Sequence, residues 1–290
     1  MQVVFSAEMK TLSFYKQNAL TVLAPIYGPR ESANIVEYWI EARLGLTRMD
    51  QVLRAEEVFQ FDSYEAELQE LKDRIPIQYI VGHAYFQGLK IGLNSATLIP
   101  RPETEELVSE VVKLIDATQA KRIIDLGTGS GCIALAIKSI RPDTEVLGFD
   151  NNPDAIDQAR RNADTLELDV NFIVADLFDY SFESADIIVS NPPYIPISEC
   201  EDMEEHVLAH EPGGALFVSD EQPLLFYDAI FALGKKILTN RVGWMVFEIH
   251  HLFGEEMRQL GVKYCAKEVK LIEDLQGKDR MLLAKYGRTD

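Results

Sequence analysis

The chain has 290 residues, 47% of them hydrophobic, with 47 acidic against 28 basic side chains and a formal charge of −19. That is enough for two domains, each burying its own core, while the acidic balance excludes a protein that grips nucleic acid through its whole surface, because phosphate binding needs concentrated Lys and Arg. Cys132, Cys200 and Cys265 have no metal-ligand spacing and are too few to staple such a chain, and no apolar run approaches the ~18 residues of a membrane span.

Residues 1–10 carry Glu8 and Lys10 without a basic stretch followed by an apolar one, so no signal peptide is expected and the compartment is expected to be cytoplasmic. To about Arg74 the pattern is helical: Ile35, Val36, Trp39, Ile40 and Leu44 recur at helical spacing and Gly45 closes the run. Thr47 with Asp50 three residues on reads as a capping-box start, and Ser63 opens a further helix through Leu68 and Leu71. Residues 1–75 are thus expected to be a small helical bundle without catalytic residues, serving recognition. Pro76 breaks the pattern, and 78–98 alternates apolar and polar residues around Gly82, Gly88 and Gly92, so 76–98 reads as a β-hairpin linker.

From 99 to 290 helical and strand-like segments alternate. Helices are expected over 103–116, 132–139, 153–163, 223–238 and 254–260, and strands over 122–126, 145–150, 170–174, 187–190 and 243–249 with a closing strand pair. Such alternation predicts an α/β domain with a doubly wound, mostly parallel, seven-stranded sheet covered on both faces.

Two segments carry the chemistry. Ile123-Ile124-Asp125-Leu126-Gly127-Thr128-Gly129-Ser130-Gly131 runs a strand into a glycine turn and an apolar helix, and Asp150 ends the next strand, where a carboxylate can hold the two hydroxyls of a ribose. The spacing is Gly-x-Gly-x-Gly, and Asp125 lies two residues before the first glycine. A carboxylate there repels a pyrophosphate but suits the cationic amino-acid end of S-adenosylmethionine, which points to a class I methyltransferase that releases S-adenosylhomocysteine. The candidate cofactor residues are Asp125, Gly127, Thr128, Gly129, Gly131, Asp150, Asp176, Leu177 and Asn191. Asp176 either accepts from the adenine amine or caps a turn, and Leu177 and Phe178 offer an apolar wall.

Strand 187–190 ends in Asn191-Pro192-Pro193-Tyr194. Two prolines remove two backbone donors and stiffen the turn, so the Asn191 side-chain oxygen and the Pro192 carbonyl can together hold a planar –NH2 group. An amide nitrogen is a poor nucleophile, and two acceptors on its N–H bonds orient it without a strong base. Asn191, Pro192 and Tyr194 are the candidate catalytic residues, with Tyr194 packing on the planar substrate.

These motifs resemble the release-factor glutamine methyltransferase family, also called the HemK or PrmC family. The resemblance covers nearly the whole chain, through Gln78-Tyr79-Ile80-Val81-Gly82, Tyr85-Phe86-Gln87-Gly88, Leu98-Ile99-Pro100-Arg101-Pro102-Glu103-Thr104-Glu105, the glycine loop, Asn191-Pro192-Pro193-Tyr194, and His210-Glu211-Pro212 with Ala215-Leu216. It implies methylation of the glutamine amide in the Gly-Gly-Gln loop of peptide release factors, a step in translation termination. It also implies that Asn191 and the Pro192 carbonyl bind the target amide and that Phe86 lines the glutamine pocket. Pro193, Tyr194 and Arg101 are further candidate substrate contacts, and Glu103 either touches the substrate loop as well or starts a helix. The chain departs from the family in lacking, at His83-Ala84, the acid found before the aromatic pair.

Three rival readings remain. The Asn-Pro-Pro-Tyr turn also suits a DNA or RNA amino-methyltransferase, a relative acts on a ribosomal protein, and a non-catalytic binding protein could keep the fold. A monomer that uses no metal and binds neither nucleic acid nor membrane is expected. His206 and His210, four apart among Glu204, Glu205 and Glu211, lack a third ligand at fixed spacing. His250 and His251 read as the close of a strand.

Overall fold

A computed structural model describes residues 9–203, 205–238, 242–274 and 277–287, without the side chains of Asp202, Glu205, His206 and Val242, and the chain forms two compact units, Met1–Gly82 and His83–Asp290. The first ten-residue expectation falls mostly on residues 1–8, outside the described ones, as does Glu204 of the histidine–acid cluster. Among the described residues no helix is long and apolar enough to cross a membrane.

The first unit holds β1 (Lys10–Thr11), α1 (Leu12–Tyr27), α2 (Pro29–Leu44), α3 (Arg48–Leu53), β2 (Val58–Phe59), α4 (Tyr64–Lys72) and α5 (Ile77–Val81). Local signals set its joints. Gly28 ends α1 and Pro29 opens α2, Gly45 caps α2 in the left-handed region at φ 66°, and the Thr47–Asp50 capping box starts α3. The apolar faces meet in an aromatic core where Trp39 stacks on Tyr64 at 5.1 Å and tilts against Phe61 at 4.9 Å. Such pairs add roughly 0.5–1.5 kcal/mol each beyond their buried area. Within this core Glu67 takes hydrogen bonds from the Trp39 indole and from Arg43 Nε at 2.9 and 3.1 Å.

The segment read as a single hairpin from residue 78 is split. Ile77 and Val81, spaced four apart, are both buried in the helical core, so 77–81 winds as α5 and ends at Gly82, φ 80°. Periods of two and four coincide over so short a stretch, which is why alternation misread it. The hairpin itself is β3 (His83–Phe86) and β4 (Leu89–Gly92), closed by Gln87 and Gly88 at φ 49° and 75°, the geometry of a two-residue turn. Residues 93–98 add no strand.

This hairpin is fastened within the second unit rather than hanging as a connector. After it comes α6 (Pro102–Thr118), and Gln87 donates from its backbone N–H to Glu105 Oε1 at 2.7 Å and from Nε2 to the Glu105 carbonyl at 2.9 Å.

The sheet strands and their helices follow: β5 (Arg122–Leu126), α7 (Cys132–Ile140), β6 (Glu145–Asp150), α8 (Pro153–Leu166), β7 (Asn171–Val174), β8 (Ile187–Ser190), β9 (Ile195–Pro196), α9 (Glu205–His210), α10 (Gly213–Leu216), β10 (Phe217–Val218), α11 (Leu225–Ile237), β11 (Val242–Glu248), α12 (Gly254–Lys263), β12 (Glu268–Glu273) and β13 (Asp279–Gly287). The expected seven-stranded sheet is present, in the order β12-β13-β11-β8-β5-β6-β7, with antiparallel pairing only where β13 inserts between β11 and β12. Central strands read as continuous apolar runs because both faces are covered; every residue of β8 is buried.

From β5 the chain winds outward through β6 to β7, then returns to place β8 on the other side of β5. Connections therefore leave the carboxyl ends of β5 and β8 in opposite directions and open a crevice between them. Beyond β8 the chain makes an excursion whose ends are joined: Ile195 pairs with Phe217 and Pro196 with Val218 in parallel register, and Tyr194 N–H donates to the Leu216 carbonyl at 3.3 Å.

Candidate active site

At the end of β5 the glycine loop is stitched to β6. Gly127 and Thr128 N–H both donate to the Phe149 carbonyl, at 2.8 and 2.9 Å, and Gly129 N–H donates to Asp150 Oδ2 at 2.9 Å. Gly131 stands at φ 81°, and a Cβ there would lie 2.8 Å from the Phe172 ring, so the entry into α7 demands glycine twice over.

Asp125 is fully buried on β5. Its Oδ2 accepts from Thr128 Oγ1 at 2.6 Å, while Oδ1 and the nearby Ser130 Oγ have no hydrogen-bond partner among the described residues. Burial pushes the Asp125 carboxyl up to about 7, against the lowering effects of the Thr128 hydrogen bond and the Ala134 backbone N–H, and the Asp150 charge adds to the rise. A buried acceptor left open beside a glycine turn is what a cationic amino group requires, so these residues fit the amino-acid end of S-adenosylmethionine. Asp150, at the end of β6, is also raised by burial, opposed by N–H donors from Asn152 and Gly129. Its Oδ2 accepts from Gly129 N–H and its Oδ1 from Asn152 N–H, with the Asn151 N–H also lowering it, and two carboxylate oxygens retain acceptor capacity for hydroxyl groups.

Asp176 is exposed and caps its own turn, Oδ1 accepting from Phe178 N–H at 2.9 Å. The turn-cap reading is therefore realised, with Oδ2 still available. Leu177 packs against the sheet core and Phe178 is 57% exposed.

At the end of β8, Ser190 Oγ donates to the Leu126 carbonyl at 2.6 Å, tying the Asn-Pro-Pro-Tyr turn to the root of the glycine loop. Pro192 is buried, and Asn191 and Pro193 are partly exposed. Asn191 Nδ2 donates to Thr104 Oγ1 at 3.2 Å, Thr104 Oγ1 donates to Glu248 Oε2 at 2.7 Å, and Tyr194 OH donates to Glu248 Oε1 at 3.1 Å. Tyr194 is mostly withdrawn into the unit: burial and the Glu248 charge raise its phenol far above the ordinary value. Its hydroxyl is anchored inward, so only part of the ring is offered to a ligand. Burial also raises the Glu248 carboxyl, opposed by the Thr104 and Tyr194 hydrogen bonds.

Two residues depart from their expected placement. Phe86 is 1% exposed, because strand alternation points it into the core, and the hairpin aromatic facing solvent is Tyr85 at 52%. Arg101 pairs through Nη2 with the buried Glu211, which also accepts from Ile99 N–H at 3.3 Å. The guanidinium that was expected to touch the substrate loop is thus engaged in joining the Pro-Arg-Pro-Glu segment to the His-Glu-Pro segment. Glu103 sits in the first turn of α6, where an acid complements the helix dipole.

His250 accepts from Leu252 N–H through Nδ1, which leaves Nε2 protonated and bonded to Glu199 at 3.1 Å. It closes its strand as expected. Thr104 and Glu248 were missed. Only the placement of Thr104 within the Arg-Pro-Glu-Thr-Glu run hinted at a role, and nothing marked Glu248.

The Methyltransferase small domain family matches residues 104–217. The release factor glutamine methyltransferase of Flavobacterium psychrophilum is 38% identical over 94% of this chain and 98% of its own length. The corresponding protein of Bacteroides thetaiotaomicron is 38% identical over 90% of this chain and 95% of its own. A crystal structure of a methyltransferase from Pyrococcus furiosus shares the fold, with a TM-score of 0.51 at 15% identity over 79% of this chain and 100% of that one. Near-complete coverage at 38% identity to the two release factor glutamine methyltransferases, with the glycine loop and the Asn-Pro-Pro-Tyr turn at adjacent strand ends, places this chain in the release factor glutamine methyltransferase family.

Proposed function

We propose that this chain transfers the methyl group of S-adenosylmethionine to the side-chain amide nitrogen of the glutamine in the Gly-Gly-Gln loop of peptide release factors. The carrying observation is the Ser190–Leu126 hydrogen bond of 2.6 Å, which ties the roots of the two motifs together across the crevice. Asp125 would hold the amino-acid end of the cofactor, Asp150 its ribose, and Asp176 with Leu177 the adenine. When bound, the cofactor supplies an electrophilic methyl on a sulfonium, a good leaving group.

Asn191 Oδ1 and the Pro192 carbonyl accept the two N–H bonds of the target amide. They hold its plane so that the nitrogen lone pair is directed at the methyl carbon. As the N–C bond forms and the C–S bond breaks, the nitrogen becomes acidic and its proton passes to water. Holding the reactants in line supplies roughly 7–11 kcal/mol of the barrier, so no strong base is needed. Pro193 stiffens the turn. The partly exposed face of Tyr194 packs beside the carboxamide, and Arg101 supports the same rim through Glu211.

The test is transfer of labelled methyl to a release factor and to the same factor with Gln→Ala in its Gly-Gly-Gln loop. Label on the first alone supports the reading; equal label on both, or label on nucleic acid and none on protein, overturns it. Asn191→Ala should lower turnover by on the order of 10²-fold or more with cofactor binding by calorimetry nearly unchanged.

A further inference from the structure

Glu248 is 2% exposed at the end of β11, and methyl transfer as derived above makes no direct use of it. Its side-chain hydrogen bonds come from the hydroxyls of Thr104 and Tyr194. A carboxylate can only accept, and a threonine hydroxyl has a single proton. Because Thr104 gives that proton to Glu248 Oε2, it turns only a lone pair toward Asn191. The carboxamide of Asn191 must then face Thr104 with its –NH2 end, as the 3.2 Å contact from Nδ2 records. Its oxygen is thereby left on the far side of the amide, free to accept.

The direction of this chain of hydrogen bonds matters to an amide substrate. Were the Asn191 carboxamide turned over, it would present N–H donors to the N–H donors of the target, and half of the grip would become a repulsion. We propose that Thr104 and Glu248 are positioning residues for the methyl transfer, which fix the Asn191 carboxamide with Oδ1 toward the substrate amide. The proposal rests on the reading of Asn191 given above, and extends it to two residues 87 and 57 positions away in the chain. Thr104 is 3% exposed and lies in the first turn of α6, so it reaches the corner from a rigid element rather than from a mobile loop.

The experiment uses the full chain with labelled S-adenosylmethionine and a release factor, comparing Thr104→Val, Thr104→Ser and Asn191→Ala. Valine keeps the shape of threonine without the hydroxyl. Thr104→Val should lower kcat on the order of 10–100-fold, while cofactor affinity by calorimetry, KM for the release factor and the melting temperature change little. Thr104→Ser should restore kcat to within a few fold. If Thr104→Val fails to fold, Thr104→Ala carries the same expectation. Wild-type kcat in the hydroxyl-free variant, with Asn191→Ala inactive, would overturn the positioning role and leave the reading of Asn191 standing. Full activity of Asn191→Ala would remove that reading itself, whatever the Thr104 variants do.

Discussion

Three glutamates are buried among the described residues, and two of them, Glu67 in the helical unit and Glu248 in the sheet unit, are supported in different ways. Glu67, 8% exposed in the helical unit, meets the Arg43 guanidinium and the Trp39 indole, so its charge is balanced on the spot. Glu248, 2% exposed in the sheet unit, has hydroxyls as its hydrogen-bond donors, and burial holds its carboxyl above the usual range. An acid paired with a cation is a closed structural clamp. One supported by hydroxyls imposes a direction on every hydrogen bond leading to it, and that direction can be passed to a reacting group.

The largest effect that tests this contrast is on stability. Glu67→Ala leaves the Trp39 N–H without its acceptor and the Arg43 charge without its carboxylate, with the Ile80 carbonyl still accepting from Arg43, and should destabilise the protein by roughly 2–4 kcal/mol in chemical denaturation, with kcat per folded molecule unchanged. A loss of kcat at intact stability would erase the distinction. Glu248→Gln should do the reverse: kcat falls by about tenfold or more, while the melting temperature at neutral pH stays level or rises. The sign follows from its raised carboxyl. The native state holds that proton more tightly than the unfolded chain, so the ionised form counts against folding once the pH exceeds the usual glutamate range, and a neutral side chain removes the penalty.

A third test concerns Asp125, pushed up to about 7 by burial. A cationic ligand needs the ionised carboxylate, so cofactor affinity should rise by at most about tenfold per pH unit up to about 7 and level off above it. Asp125→Asn should bind more weakly and lose this slope in calorimetric titrations. Stability of the ligand-free protein should move the opposite way, falling between the usual aspartate range and about 7. The smallest expected change is Tyr194→Phe, which removes one of the two donors to Glu248 and should cost about 1 kcal/mol, a few-fold in kcat. A loss as large as that of Asn191→Ala would mean that Tyr194 acts on the substrate and not through Glu248.

Much of this was legible in the residues alone, for physical reasons. Central strands such as Ile187–Ser190 announce themselves by unbroken apolar runs, and the loop from Gly127 to Gly131 by a turn that only glycines can make. Both chemistry-bearing motifs lie at strand ends, where chain order and parallel topology suffice to bring them together. The sequence was silent where contacts join distant segments. Thr104 and Glu248 lie 144 residues apart, and Arg101 and Glu211 110 apart. No periodicity or spacing encodes such a pair; it exists only once the fold has brought its two segments together. Short elements were ambiguous for a different reason, since five residues from Ile77 to Val81 satisfy a strand period and a helix period alike. The resemblance assigned one hairpin aromatic, Phe86, to the pocket, but alternation could not say which of Tyr85 and Phe86 faces inward, and Phe86 is found in the core.

The excursion between Ile195 and Phe217 starts and ends at neighbouring points, joined by two pairs of strand partners. Its closure is thus fixed at the base, and for a flexible loop each doubling of length costs only about 0.6 kcal/mol in additional entropy. Residues near its tip can therefore be exchanged, added or removed without moving Tyr194, which is hydrogen-bonded to the closing end. Such an arrangement separates two kinds of evolutionary change: the anchored corner can keep one geometry while the outer arc varies in length and composition.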